Sequence, residues 1–465
     1  MSFLIVLAAL CFLMFVAYRG YSVILFAPIA ALGAVLLTDP SLVAPMFTGL
    51  FMDKMVGFLK LYFPVFLLGA VFGKLIEISG FSKAIVAGTI RLVGRQRAML
   101  SIVLVCALLT YGGVSLFVVV FAVYPFAAEM FRQSDIPKRL IPGTIALGAF
   151  TFTMDALPGT PQIQNIIPTS FFGTTAWAAP VLGITGAIFI LLLGLSYLEW
   201  RRRVALRAGE GYGGDLRNEP EPFRGDKLAH PLIAVLPLVL VGVANFLLGR
   251  WIPGWYGESH AFVPAVIGNP APVTQEVAKV AAIWAVQGAL LIGIASVLVF
   301  AWKPVVASFA EGTRNAIGGA LLASMNTASE YGFGAVIAAL PGFLVVANAL
   351  QAIPNPLVNE AISVTALAGI TGSASGGMSI ALAAMADSFI ANAQAAGIPM
   401  EVLHRVASMA SGGMDTLPHN GAVITLLAVT GLSHRQSYKD IFAITVIKTL
   451  AVFVVIGLFY ATGWV

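Results

Sequence analysis

Charge is scarce in this sequence: Asp, Glu, Lys and Arg make up 10% of its 465 residues, against 59% hydrophobic ones. A water-soluble domain carries about 25% charged residues, so the soluble globular class is excluded. Cysteine is scarcer still. Cys11 and Cys106 stand in apolar runs with no ligand spacing around them, which excludes a disulfide framework and a cysteine metal site. No HExxH pattern, no Gly-x-Ser-x-Gly elbow and no paired Cys or His at ligand spacing is found, so an intramembrane enzyme has no motif to rest on. The net charge of +5 does not point to nucleic acid, because Lys and Arg fall in short clusters between apolar runs. That distribution sets membrane orientation. No basic stretch precedes Phe3 and no small-residue cleavage site follows the first apolar run, so the first helix is expected to be retained.

What the chain does have is a mean hydropathy of +0.93. Many runs approach the roughly 20 apolar residues that span a bilayer, which makes it an all-α polytopic membrane protein. It also repeats itself. Met154-Asp155-Ala156-Leu157-Pro158-Gly159-Thr160-Pro161 returns as Met414-Asp415-Thr416-Leu417-Pro418-His419-Asn420-Gly421, at a constant offset of 260. Gly112-Gly113-Val114-Ser115 precedes the first copy and Gly376-Gly377-Met378-Ser379 the second, with Ile136-Pro137 and Ile398-Pro399 between them. Three signals recur in the same order across half the chain.

The basic clusters then set the topology. Apolar helices at 3 to 18, 21 to 38 and about 57 to 79 are followed by an amphipathic segment carrying Lys83, Arg91, Arg95 and Arg97. The run from about 98 to 131 has basic residues at both ends, so both ends favour the cytoplasm and the run is expected to be a re-entrant hairpin turning at Gly112-Gly113. A crossing broken at Asp155 to Pro161 follows at about 139 to 171, and a helix at 178 to 198 leads to Arg201-Arg202-Arg203. The polar stretch 200 to 229 is expected to be a mobile cytoplasmic linker between repeats at 1 to 199 and 230 to 465. The second half repeats the plan, with helices at about 231 to 249, 278 to 301 and 333 to 352. A hairpin at about 357 to 395, a broken crossing at about 400 to 432 and a last helix complete it. Three helices, a broken helix and a closing helix, about five transmembrane helices beside the re-entrant hairpin, give each half an odd number of crossings, hence two inverted repeats, as in secondary transporters.

Non-helical backbone at membrane depth survives only where protein buries it or a wet cavity touches it. The two hairpin turns and the two breaks are expected to meet near the midplane, each starting a helix with unpaired N–H groups. Thr160 with Pro161 behind it, and Asn420, are placed as N-caps, and Ser115 and Ser379 as caps of the second hairpin arms. No Lys or Arg lies within either motif, so an anion would be held by backbone N–H groups, hydroxyls and amides: Gly112, Gly113, Ser115, Thr160, Gln162, Gln164, Gly376, Gly377, Ser379 and Asn420, with His419 the one cationic candidate. Asp155 and Asp415 have two readings. Either they carry a coupling proton or help bind Na⁺, or each caps the freed N–H groups of its own break. His419 stands open between substrate contact, proton relay and a framework hydrogen bond. Glu77, Glu129 and Asp387 are expected at exposed positions, and the polar run Asn326 to Tyr331 reads as a loop or as pathway lining.

These motifs resemble the gluconate permease family, within the ion transporter superfamily of inverted-repeat carriers. The resemblance in layout covers nearly the whole chain, and its motifs reach the family level. It implies a homodimer in the bacterial inner membrane, elevator-type alternating access and proton-coupled uptake of a small hydroxycarboxylate such as gluconate or 3-hydroxybutyrate. It implies no cofactor, no metal and no nucleic-acid partner beyond lipid and substrate. A Na⁺-coupled carboxylate symporter and an anion channel of the same architecture are the alternatives. Related branches bind Na⁺ with a Ser-Asn-Thr hairpin tip, where this chain has Gly-Gly-Val-Ser and Gly-Gly-Met-Ser.

Overall fold

In lipid each backbone N–H and C=O needs an internal partner, so apolar runs of this length fold as helices. A computed structural model describes residues 2 to 465 except 20, 95 to 96, 115, 215 to 216, 221 to 227, 265 to 270, 346 to 352 and 419; the side chains of 17, 18 and 117 also lie outside the description. The helices named below are α1 (Ser2–Tyr18), α2 (Val23–Thr38), α3 (Met52–Ile78), which a short helical lead-in from Pro40 precedes, α4 (Phe81–Val93), α5 (Ala98–Tyr111), α6 (Leu116–Gln133), α7 (Ile141–Ala149), α8 (Phe152–Asp155) and α9 (Ile163–Phe172). They continue with α10 (Pro180–Arg207), α11 (Pro231–Tyr256), α12 (Ala281–Phe300), α13 (Trp302–Ala338), α14 (Pro356–Thr371), α15 (Ala374–Ala395), α16 (Met400–Ser411), α17 (Gly421–Thr430) and α18 (His434–Thr462). A two-stranded antiparallel ribbon, Ser259–Phe262 with Val273–Glu276, is the sole sheet among the described residues.

Among the described residues six runs are long and apolar enough to cross a membrane: Pro40–Ile78, Pro180–Arg207, Pro231–Tyr256, Ala281–Phe300, Ala374–Ala395 and His434–Thr462. Leu192, Val239 and Val299 stand exposed on such helices, where lipid is a suitable solvent. Trp251, Trp255, Trp302 and Trp464 are exposed near helix ends, as amphipathic rings at a membrane boundary are.

One order of elements occurs twice. A helical pair, a broken helix and a long helix run as α5/α6, α7–α8–α9 and α10, and again as α14/α15, α16–α17 and α18. Around them α3 packs along α13, and α11 along α12. Three expectations change. The third helix of the second half was expected at about 333 to 352; it is instead the 37-residue α13, which holds Asn326 to Tyr331 inside its buried length. Its proline, Pro304, lies in the first turn, where it does not interrupt the helix. The linker is pinned in its described part. Lys138 pairs with Glu219 at 2.7 Å, Arg139 pairs with Glu210 at 2.6 Å, and Asn218 Nδ2 donates to Ala428 O. The second hairpin turns at Gly372 (φ +65) and Ser373, not at Gly376-Gly377. Those two glycines sit in the first turn of α15, where an added Cβ on Gly377 would lie 2.2 Å from the Ala368 backbone. They serve close approach, whereas Gly113 (φ +94) does make the turn of the first pair.

Candidate substrate and coupling-ion site

The first break runs from Phe150 to Gln162. Proline cannot extend a helix backward through its missing N–H, and Gly159 adopts φ +80 with the Trp177 ring where a Cβ would stand, 2.4 Å away. Thr160 is not the cap that its sequence suggests. The N-cap of α9 is Gln162, with extended backbone and no side-chain bond to its own helix, because its amide is engaged elsewhere. Gln162 Nε2 donates to Thr110 O (2.7 Å) and Val114 O (3.3 Å), the carbonyls at the tip of the first hairpin, and Tyr111 OH donates to Pro158 O at 2.9 Å. Thr160 Oγ1 and Gln164 Oε1 are buried with no partner.

The second break is built alike. Asn420 caps α17, its Oδ1 accepting from Val423 N at 2.9 Å as expected, and its Nδ2 donates to Gly372 O at 2.8 Å. Each N-cap amide thus ties its break to the hairpin tip of the same half. Ser379 is not a cap: Ser373 fills that place, its Oγ accepting from Gly376 N, and Ser379 lies within α15 with its hydroxyl buried and unpartnered. Ser115 and His419 lie outside the described residues, so their expected roles have no structural counterpart.

The two breaks also meet each other. Lys448, 2% exposed in the middle of α18, donates from Nζ to Asp415 Oδ1 at 2.5 Å and to Phe150 O at 3.0 Å. Arg405, fully buried on α16, donates to Asp155 O, to Asn165 Oδ1 and twice to Ala178 O, and Ser408 Oγ donates to Asp155 O at 2.7 Å. His404 joins the same cluster through Thr174 Oγ1 and Asn165 Oδ1. Asn165 Nδ2 in turn holds Thr160 O and Ala176 O, so one amide fixes both ends of the loop around the break.

The two aspartates differ within this shared setting. Asp415 has a cation on one oxygen, whereas Asp155 Oδ2 is buried without a partner and lies 1.8 Å from where a Cβ on Gly412 would be. Only glycine at 412 admits the carboxyl there. The expectation of a site without Lys or Arg is corrected: no cation lies in the motifs, but Arg405 and Lys448 reach the breaks from neighbouring helix segments. A lone lysine inside the apolar run of 440 to 463 was the available signal. Two further acids are buried: Glu330 on α13, from the run read as a loop or as pathway lining, and Glu360 on α14, with both oxygens unpartnered, which the sequence reading did not single out. Glu129 instead sits at the surface, as expected, beside Arg132.

No protein-family model matches the chain. A search of solved structures finds the crystal structure of the Alcanivorax borkumensis YdaH transporter, titled as having an unusual topology, at a TM-score of 0.50 over 92% of this chain and 90% of that one. At 15% identity the likeness extends to the fold alone. The chain is 60% identical over 474 positions, covering all of both proteins, to the Bacillus subtilis (strain 168) protein named "Uncharacterized transporter YxjC". With helix pairs and broken helices meeting around buried charges, this is a multi-pass membrane transporter, and it belongs to the family of the Bacillus subtilis YxjC protein.

Proposed function

We propose that the protein imports a small hydroxycarboxylate of the gluconate or 3-hydroxybutyrate type together with protons, across the bacterial inner membrane, as a homodimer of inverted-repeat chains working by elevator-type alternating access. The observation that carries the reading is that Lys448 bridges the two breaks, each break is tied to the hairpin tip of its own half, and unpartnered buried polar atoms, Thr160 Oγ1, Gln164 Oε1 and Asp155 Oδ2, stand at the first break. Buried polar groups left without partners in a transporter core are expected to find them in a solute.

Within this scheme Asp155 takes the coupling proton. Unlike Asp415 it forms no ion pair among the described residues and its Oδ2 has no hydrogen-bond partner, so that oxygen is free to take a proton when the site is closed and to release it on hydration. Asp415 is the strut: Lys448 neutralises it and fastens it to Phe150 O. Substrate is held by the Gln162 and Asn420 regions, the hydroxyls of Thr160 and Ser379 and the helix starts behind them. The protein performs no chemistry on its cargo.

Purified protein in vesicles with an imposed inward proton gradient tests this. Labelled gluconate or 3-hydroxybutyrate should accumulate. Accumulation that follows Na⁺ and ignores the proton gradient refutes the coupling, and the absence of saturable counterflow refutes the carrier in favour of a channel. Asp155→Asn should lose net uptake while retaining exchange of substrate for substrate.

A further inference from the structure

We propose that Glu330 is a second proton-binding site, whose occupancy is coupled to the seating of the second hairpin. It rests on the symport reading only for its place in the transport cycle. The underlying observation is a polar seam between α13 and α15 in an otherwise apolar packing. Thr327 Oγ1 lies 3.3 Å from Ser375 Oγ, the Glu330 carboxyl lies over Gly376, and Gly334 lies over Ile380. A Cβ on Gly376 would stand 1.7 Å from Glu330 Oε2, so the hairpin seats on this carboxyl only because residue 376 has no side chain.

Glu330 is 3% exposed and its Oε2 has no hydrogen-bond partner, while the neighbouring Ser329 hydroxyl is buried and unpartnered as well. The charged residues on the helices packed against α13 are Asp53, Lys54, Lys60, Lys74 and Glu77 on α3 and Asp387 on α15; α2 and α12 carry none. Among the described residues none of these, nor Lys303, Glu311 or Arg314 on α13 itself, forms an ion pair with Glu330, and Lys74 is paired with Glu77. An ionised carboxyl buried without a counter-charge costs several kcal/mol, which lifting the hairpin into water relieves. Seating therefore requires the proton, and loss of the proton favours lifting. The two equilibria are linked reciprocally, so whatever seats the hairpin, including a solute beneath it, also draws a proton onto Glu330.

Amide hydrogen exchange of the detergent-purified full-length protein, corrected for intrinsic base catalysis, reads the seating directly. In the wild type the opening of amides 372 to 378 should rise with pH, approaching tenfold per unit as expected for one proton. Glu330→Gln, a permanently neutral isostere, should remove that slope and leave the tip protected. Amides 112 to 114 at the first hairpin tip, where Gly113 packs on Phe72, Pro161 and Leu290, serve as the internal control, since their pH response should be the same in wild type and Glu330→Gln. Gly376→Ala should expose the second tip at every pH while the first stays protected, and it keeps the test decisive if the glutamine variant misfolds. Equal pH slopes in wild type and Glu330→Gln, or a Gly376→Ala tip as protected as the wild type, overturn the proposal. Failure of proton-driven uptake alongside the expected exchange pattern would refute the symport reading and leave this one standing.

Discussion

Replacing Lys448 by methionine, nearly the same length without the charge, is expected to destabilise the protein severely. The substitution leaves Asp415, 4% exposed, without the ammonium that lies 2.5 Å away, and leaves Phe150 O without its donor. Breaking one side of a buried ion pair costs about 3–5 kcal/mol, and an orphaned buried carbonyl adds about 1–3 kcal/mol. Removing both charges in Lys448→Met with Asp415→Asn eliminates the first term and keeps the second. The double variant should then recover more than half of the single variant's loss. Thermal unfolding of detergent-purified protein measures this, at roughly 2–4 °C per kcal/mol for a chain of a few hundred residues. A fall of order 10 °C is expected for the single variant and only a few degrees for the double. A single variant as stable as wild type, or losses that simply add in the double, would mean that the pair does not hold the two breaks together.

Three further outcomes follow from the same geometry. Gly159→Ala puts a Cβ 2.4 Å from the Trp177 ring at φ +80, so a loss above about 2 kcal/mol is expected in the same unfolding assay. Asn420→Ala removes both the cap on Val423 N and the tie to Gly372 O; about 1–2 kcal/mol should be lost, with faster exchange of the Gly372 region, whereas Gln162→Ala should loosen the first hairpin tip and spare the second. Hydrogen bonds from Arg139 hold the Glu210 carboxyl below the usual carboxylate range, so its contribution to stability is present above about pH 4.3 and fades as the pH falls through the lowered value. Glu210→Gln should accordingly lower the melting temperature slightly at neutral pH and match wild type in acid.

The breaks and hairpins were legible because Asp, Pro and Gly are conspicuous in apolar runs, and their recurrence in the same order in both halves marked them as copies. Asn420 was read correctly as a cap for the same reason that Thr160 was not: capping residues are recognisable in sequence, but which atoms they bond is decided by packing. Gln162 turns its amide outward to the hairpin, so its helix starts without a side-chain cap. The two Gly-Gly pairs look identical in sequence, yet one makes a turn and the other admits a neighbouring backbone and a carboxyl. Arg405 and Lys448 were missed because their partners lie 250 and 33 residues away, and the latter pairing exists only once α18 packs against the second break. For Glu330 the sequence leaves loop and pathway lining open, because polarity in a loop and polarity between packed helices read alike until the neighbouring helix is known.

Gln162 and Asn420 grip peptide carbonyls of the hairpins and no side chain at either tip. The main chain offers those carbonyls whatever residues occupy 110, 114 and 372, provided the turn itself survives. Side chains at the tips can therefore differ among relatives without unfastening either hairpin from its break.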